Sequence, residues 1–195
     1  MLYFLGRTRP TKNKRNLYDR TDMKYLLLAV IYLTFVSLGL PDSVFGASWP
    51  IIQTDFATPG SLGSIYTMIT GFAGALAGFF AGRLIARFGT YAVTAASVAL
   101  TAAGLIAVSF TTAYWQMLVI ALIMGLGSGA IDTGLNTFVS QNYRASHMNL
   151  LHCFWGVGVT LSPIIMSQFI SKGDWQMGYR VLGFIQLGIT AVVAL

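Results

Sequence analysis

The sequence predicts an all-α membrane protein, a six-transmembrane-helix bundle built as 3+3 inverted repeats. Three observations carry this. The chain of 195 residues is 55% hydrophobic and 9% charged, too little charge to cover a soluble domain of that length. Six segments reach or approach the roughly 20 apolar residues that a spanning helix needs. Two aspartates inside those segments sit in matching settings, Gly39-Leu40-Pro41-Asp42-Ser43 and Gly129-Ala130-Ile131-Asp132-Thr133. Both read Gly-x-x-Asp-[Ser/Thr] and lie 90 residues apart. A repeated intramembrane carboxylate points to a duplicated helical unit with a site between the copies.

The expected spans are Tyr25 to about Ile52, Leu62 to Ile85, Tyr91 to Phe110, Tyr114 to about Val139, Leu150 to Ile170, and Tyr179 to Leu195. Short breaker-rich loops separate them, such as Thr58-Pro59-Gly60 and Lys172-Gly173-Asp174. Residues 1–24 form a basic tail holding seven of the twelve Lys and Arg residues. Placed directly before an apolar span, these charges fit anionic membrane lipids and the cytoplasm better than nucleic acid. With the N-terminus inside, the inner segments hold ten basic residues and the outer loops two, a positive-inside bias. That orientation puts Trp115, Trp175 and Tyr179 at the outer interface and Tyr25 at the inner one, in a plasma (inner) membrane. The basic start also mimics a cleaved signal peptide, but the 24-residue lead is long for one and leaves the Asp132 repeat unexplained. Cys153 is the single cysteine, which excludes an internal disulfide and a cysteine-based metal site.

Two features bear on packing. Gly74, Gly78 and Gly82 recur every four residues in span two, and Gly125 and Gly129 do so in span four around Gly127. Small residues at that spacing let helix backbones approach closely, for static packing or for a sliding interface. Pro41 and Pro163 should break their helices locally and free carbonyls that can line a cavity.

Strongly polar side chains within the spans are few: Asp42, Asp132, Asn136, His152, Gln168 and Gln186. Charged residues at membrane depth are costly and usually face a cavity that carries protons, ions or substrate. Asp132 and Asn136 share one helix face by their spacing of four. Asn149, His152 and Trp155 form a similar face at the start of span five. Counted at 1.5 Å per residue, both aspartates lie roughly 26 Å along their helices from opposite faces, a depth offset on the order of 10 Å. The offset suits two stations on a pathway. It does not suit an intramembrane aspartyl protease, whose carboxylates sit about 3 Å apart, so the chain is read as no enzyme. Low dielectric disfavours the charged carboxylate, which would let an aspartate take a proton on one side and release it on the other. Structural alternatives exist for each residue: a ring satisfied by a backbone carbonyl for His152, a local cap at a helix break for Asp42, interhelical glue for Asp132.

The loop Gly82-Arg83-Leu84-Ile85-Ala86-Arg87-Phe88-Gly89 is similar to the Gly-x-Leu-x-Asp-Arg-x-Gly motif of the major facilitator superfamily. Ala86 stands where the motif has its acid, and Tyr91-Ala92 replaces its trailing basic pair, so a charge latch built on that acid is not carried over. Within that superfamily the chain most resembles the fucose permease-like sugar:proton symporters. Leu40-Pro41-Asp42-Ser43 is similar to their span-one acid. The stretch from Gly127 to Asn136 resembles their span-four acid followed by Asn, with Asp132 in place of Glu. Asn149-Leu150-Leu151-His152-Cys153-Phe154 resembles their Asn-Leu-x-Gln-x-Phe, with His152 in place of Gln.

The resemblance implies a fold and a function. It implies Asp132 as the main proton carrier, with Asp42 as a second coupling group. Asp42, Asn136, His152, Asn149 and Trp155 become the substrate-binding candidates. Gly82, Arg83, Arg87 and Gly89 form the conformational loop. It implies proton-coupled uptake of a sugar or related small polar solute, with no cofactor and no metal. Family members have twelve spans in two six-span halves, so this chain is expected to be a fragment or a half-transporter that pairs with a second six-helix half. Efflux of amphipathic compounds, or a non-transporting role on the same fold, stand as alternatives.

Overall fold

The computed structural model describes the backbone of residues 12–194 and the side chains of residues 24–194; the basic residues before Lys24 lie outside those side chains. Six α-helices follow one another: α1 Lys12–Asp55, α2 Gly63–Phe88, α3 Thr90–Val108, α4 Tyr114–Asn142, α5 Ala145–Ile170 and α6 Trp175–Val193. A short 3-10 turn, Gly60–Leu62, leads into α2. Five of the helices are long and apolar enough to cross a membrane. The remaining one, α6, carries Arg180 and Gln186. It buries Gln186 completely, with Nε2 donating to Thr101 Oγ1 of α3 at 2.9 Å. Arg180 lies over the Phe110 ring at 4.9 Å.

Helix pairing follows the duplication. α1 packs most extensively along α5, and α2 along α4, while α3 lies between α4 and α6. Exchanging the first three helices for the last three converts one dominant pair into the other. The core forms two clusters. One gathers Val44, Phe45, Tyr66, Met117, Trp175 and Tyr179. The other gathers Ile31, Phe35, Leu38, Ile131, Leu135 and Leu151.

Three expectations need correction. Trp175 and Tyr179 are not lipid-facing interface aromatics; both are fully buried. Their polar tips have partners inside the bundle: Trp175 Nε1 donates to Asp55 Oδ2 at 2.5 Å, and the Tyr179 and Ser48 hydroxyls lie 3.0 Å apart. Trp115 and Tyr25 are exposed, as expected of interfacial rings.

Second, neither Pro41 nor Pro163 ends its helix, since both lie inside α1 and α5. A helical proline has no N–H for the carbonyl four residues back, which for Pro163 is Val159. Ser43 Oγ of α1 donates to that carbonyl at 2.7 Å. The freed acceptor is therefore taken up by a neighbouring helix and does not line a cavity.

Third, the Gly82 step of the glycine stripe meets nothing. Gly74, Gly125 and Gly129 form the close α2–α4 crossing, where a Cβ at Gly129 would fall on the Gly74 carbonyl. Gly127 faces α3 instead.

Helix ends have local causes. Asp174 caps α6 by accepting from the Met177 backbone N–H at 2.9 Å. Gly89 sits between α2 and α3 at φ 82°, a left-handed conformation that glycine adopts without strain. That accounts for the last glycine of the loop motif.

Candidate functional site

Four helices line one open cavity of about 830 Å³. α1 contributes Phe35, Leu38 and Asp42, whose spacing of three and four puts them on one face. α4 contributes Ser128, Asp132 and Thr133; α5 contributes His152 and Trp155; α2 lines the floor with Thr70, Phe79 and small residues. The two aspartates, taken from the sequence as separate stations, face the same space. Residue counting gave each aspartate a length along its own helix, but it could not say whether a wall stood between them. Asp42 also borders a smaller hollow of about 300 Å³ with Ser43, Tyr66 and Thr67.

Each aspartate has one firm partner. Trp155 Nε1 donates to Asp42 Oδ2 at 2.8 Å, across 113 residues and from α5 to α1. Asn136 Nδ2 donates to Asp132 Oδ1 at 2.9 Å along α4, while Asn136 Oδ1 is buried without a partner among the described residues. Asp42 therefore does not cap a helix break, because α1 is continuous there. His152 meets the Phe35 ring edge-on, with centroids 6.4 Å apart. Its nitrogens have no hydrogen bond among the described residues, so they remain open to the cavity that the ring lines. Asn136 supports the site without lining it. Asn149 is exposed at the start of α5 and is not among the lining residues.

The five-residue repeat acquires a physical reason. In each copy the glycine sits at a helix crossing. A Cβ at Gly39 would collide with the α5 backbone near Trp155 and Gly158, as one at Gly129 would with α2. Three residues on, the aspartate faces the cavity. One further, the hydroxyl meets the partner helix: Ser43 donates to Val159 on α5, and Thr133 Oγ1 lies against Gly78 on α2. The motif thus brings two helices close, aims a carboxylate into the gap and holds the crossing with a hydroxyl.

Sequence reading missed several residues of this site. Thr70, Ser128 and Thr133 add hydroxyls to the lining, and Phe35 and Phe79 add aromatic surface. Ser128 lies four residues before Asp132 on α4, so a helical projection centred on Asp132 would have flagged it; Thr133, the next residue round the helix, shares no face with Asp132 by spacing. The loop residues lie elsewhere: Arg83 stacks over Phe80 at 5.7 Å and Arg87 over Phe88 at 5.2 Å, and both arginines are exposed.

A cavity set by α1, α2, α4 and α5 of a duplicated bundle agrees with a comparison of sequences. The profile of the Major Facilitator Superfamily matches residues 31–195. The chain belongs to the Major Facilitator Superfamily. Among curated relatives it is 22% identical over 152 residues to the glucose/mannose transporter GlcP of Bacillus subtilis, covering 76% of this chain and 37% of that protein. It is 25% identical over 175 residues to the niacin transporter NiaP of Acinetobacter baylyi, covering 87% of this chain and 39% of that protein. It is 23% identical over 143 residues to the sodium-dependent glucose transporter 1A of Mus musculus, covering 69% of this chain and 32% of that protein. The chain thus spans about two fifths or less of the length of these relatives. As a superfamily member it is a multi-pass membrane protein of a transport fold.

Proposed function

We propose that this chain forms one half of a proton-coupled importer for a sugar or similar polyhydroxylated solute, of the fucose permease-like kind. The observation that carries the reading is the make-up of the cavity: two carboxylates, one imidazole, one indole and three hydroxyls, with no Lys or Arg lining it among the described residues. Carboxylates and hydroxyls accept and donate to sugar hydroxyls, and an aromatic face suits the apolar side of a sugar ring. An anion such as nicotinate would instead face two carboxylates with no basic partner among the described lining residues. This favours the sugar-transporting relatives over the niacin one as a guide to substrate.

Asp132 is the proposed proton carrier, and Asn136 is suited to assist it. As drawn, its amide donates to the carboxylate. Turned over, its oxygen can accept from the protonated acid, so one side chain can serve both states. Asp42 and Trp155 then bind the solute. A second six-helix half would close the cavity, since α2 and α5 are the least buried of the membrane-spanning helices. We place the protein in the plasma (inner) membrane with the N-terminus cytoplasmic, on the positive-inside bias.

Efflux of a lipophilic cation is the second reading. Phe35, Phe79 and Trp155 around two carboxylates would suit such a compound. Right-side-out vesicles from cells making the protein decide between them. Under an inward proton gradient, radiolabelled hexose or deoxyhexose should accumulate, and nicotinate and tetraphenylphosphonium should not. Accumulation of nicotinate, or expulsion of the cation alone, would overturn the sugar reading.

A further inference from the structure

Where α4 passes to α5, beside Lys24 of α1, lies a further hollow of about 640 Å³. Its chemistry is the reverse of the transport cavity. Lys24, Arg144 and His147 line it, with the polar groups of Gln141, Asn142 and Tyr143, and no carboxylate lines it among the described residues. The Tyr32 hydroxyl lies 2.6 Å from His147 Nδ1. When that hydroxyl donates, the imidazole proton resides on Nε2, which is then a donor.

The floor of this hollow is apolar. Leu27 and Phe138 line it, and the same two residues line a neighbouring groove of about 190 Å³ with Val30, Ile31, Leu135 and Val193. A basic, donor-rich mouth therefore adjoins, across Leu27 and Phe138, a mostly apolar groove between α1, the start of α3, α4 and the end of α6. A free inorganic anion would use only the mouth. An acyl chain alone would leave the basic groups unpaired. A molecule with a phosphate at one end and a hydrocarbon chain at the other uses both.

We propose that this combined site binds one anionic phospholipid, its phosphate held by Lys24, Arg144 and His147 and one acyl chain lying over Leu27 and Phe138. The site is separate from the transport cavity, with which it shares no lining residue. Held there, the lipid ties α1 at Lys24 and Leu27 to the α4–α5 junction, two segments that belong to different halves of the duplication.

The test uses the whole chain in lipid-exchangeable micelles. Phosphatidylglycerol, phosphatidylcholine with the same acyl chains, and inorganic phosphate are added in turn, and lipid retention is read by native mass spectrometry alongside the thermal midpoint. The proposal predicts one retained phosphatidylglycerol and a raised midpoint, with neither of the other two probes matching it. A basic group near an anionic headgroup is worth a factor of about five, so Lys24→Gln with Arg144→Gln should weaken retention about thirtyfold. Lys24→Arg with Arg144→Lys should keep it, as should Lys172→Gln at the far end of the bundle. Equal retention of phosphatidylcholine, the same stabilisation by inorganic phosphate alone, or undiminished binding by the neutral double variant would each overturn it. If the neutral variant does not fold, the three-probe comparison on the unaltered chain decides by itself.

Discussion

Ser43 and Pro163 make a coupled pair through the Val159 carbonyl, and that coupling can be measured. Pro163 cannot donate to Val159, and Ser43 Oγ does so at 2.7 Å. Ser43→Ala leaves the carbonyl without a partner in a setting where little water can replace it. An orphaned acceptor costs about 1–3 kcal/mol, whereas interhelical hydrogen bonds in membrane bundles average about 0.6 and reach about 1.7 kcal/mol. We therefore expect Ser43→Ala to destabilise by about 1–1.5 kcal/mol. Pro163→Ala restores an N–H in register with Val159. In that background the serine becomes redundant, and Ser43→Ala should cost less than about 0.5 kcal/mol. Reversible unfolding in mixed micelles supplies all four stabilities of the cycle. A coupling energy near zero would refute the account, because the hydroxyl and the missing N–H would then be acting independently.

Other consequences follow from the same geometry. Gly158→Ala sets a methyl against the Val36 carbonyl, whereas Gly156→Ala, two residues away, meets nothing within 4 Å; the first should lose about 1–3 kcal/mol and the second should be neutral or slightly stabilising by the same unfolding measurement. Gln186→Leu removes a donor to Thr101, whose hydroxyl still bonds to Val98 at 2.9 Å, and also removes the unpartnered Gln186 Oε1. It should change stability by no more than about 1 kcal/mol, and a larger loss would show that the pair holds α3 to α6. Trp155→Phe keeps the ring but deletes the N–H held by Asp42. The apparent affinity for the transported sugar should fall about tenfold, and unchanged transport kinetics would remove Trp155 from the binding site.

Helix existence was legible because apolar runs of membrane-spanning length are hard to mistake. Their ends were less so: span five was expected to start at Leu150, yet α5 starts five residues earlier, at Ala145. Asp42, Asp132, His152 and Trp155 stood out because polar or indole side chains are rare in such spans, and the fold brings all four to one cavity. What local pattern could not carry was the pairing across helices. Pro163 was readable as a helix breaker, but the hydroxyl that compensates it lies 116 residues away. Trp175 and Tyr179 looked like interface residues because aromatic rings at span ends often are; only the packing of α1 against α6 shows Asp55 and Ser48 waiting for them. The glycine stripes marked the α2–α4 crossing, while the equal crossing of α1 with α5 at Gly39 and Gly158 has single glycines and no stripe to announce it.

We propose that Asp132 couples protons to solute movement, and Asp132→Asn with uptake read in two modes in the same vesicles is the measurement for it. Accumulation driven by a proton gradient should be lost, while equilibrium counterflow of the same solute is preserved. Undiminished accumulation by the Asn variant would mean that Asp132 carries no coupled proton.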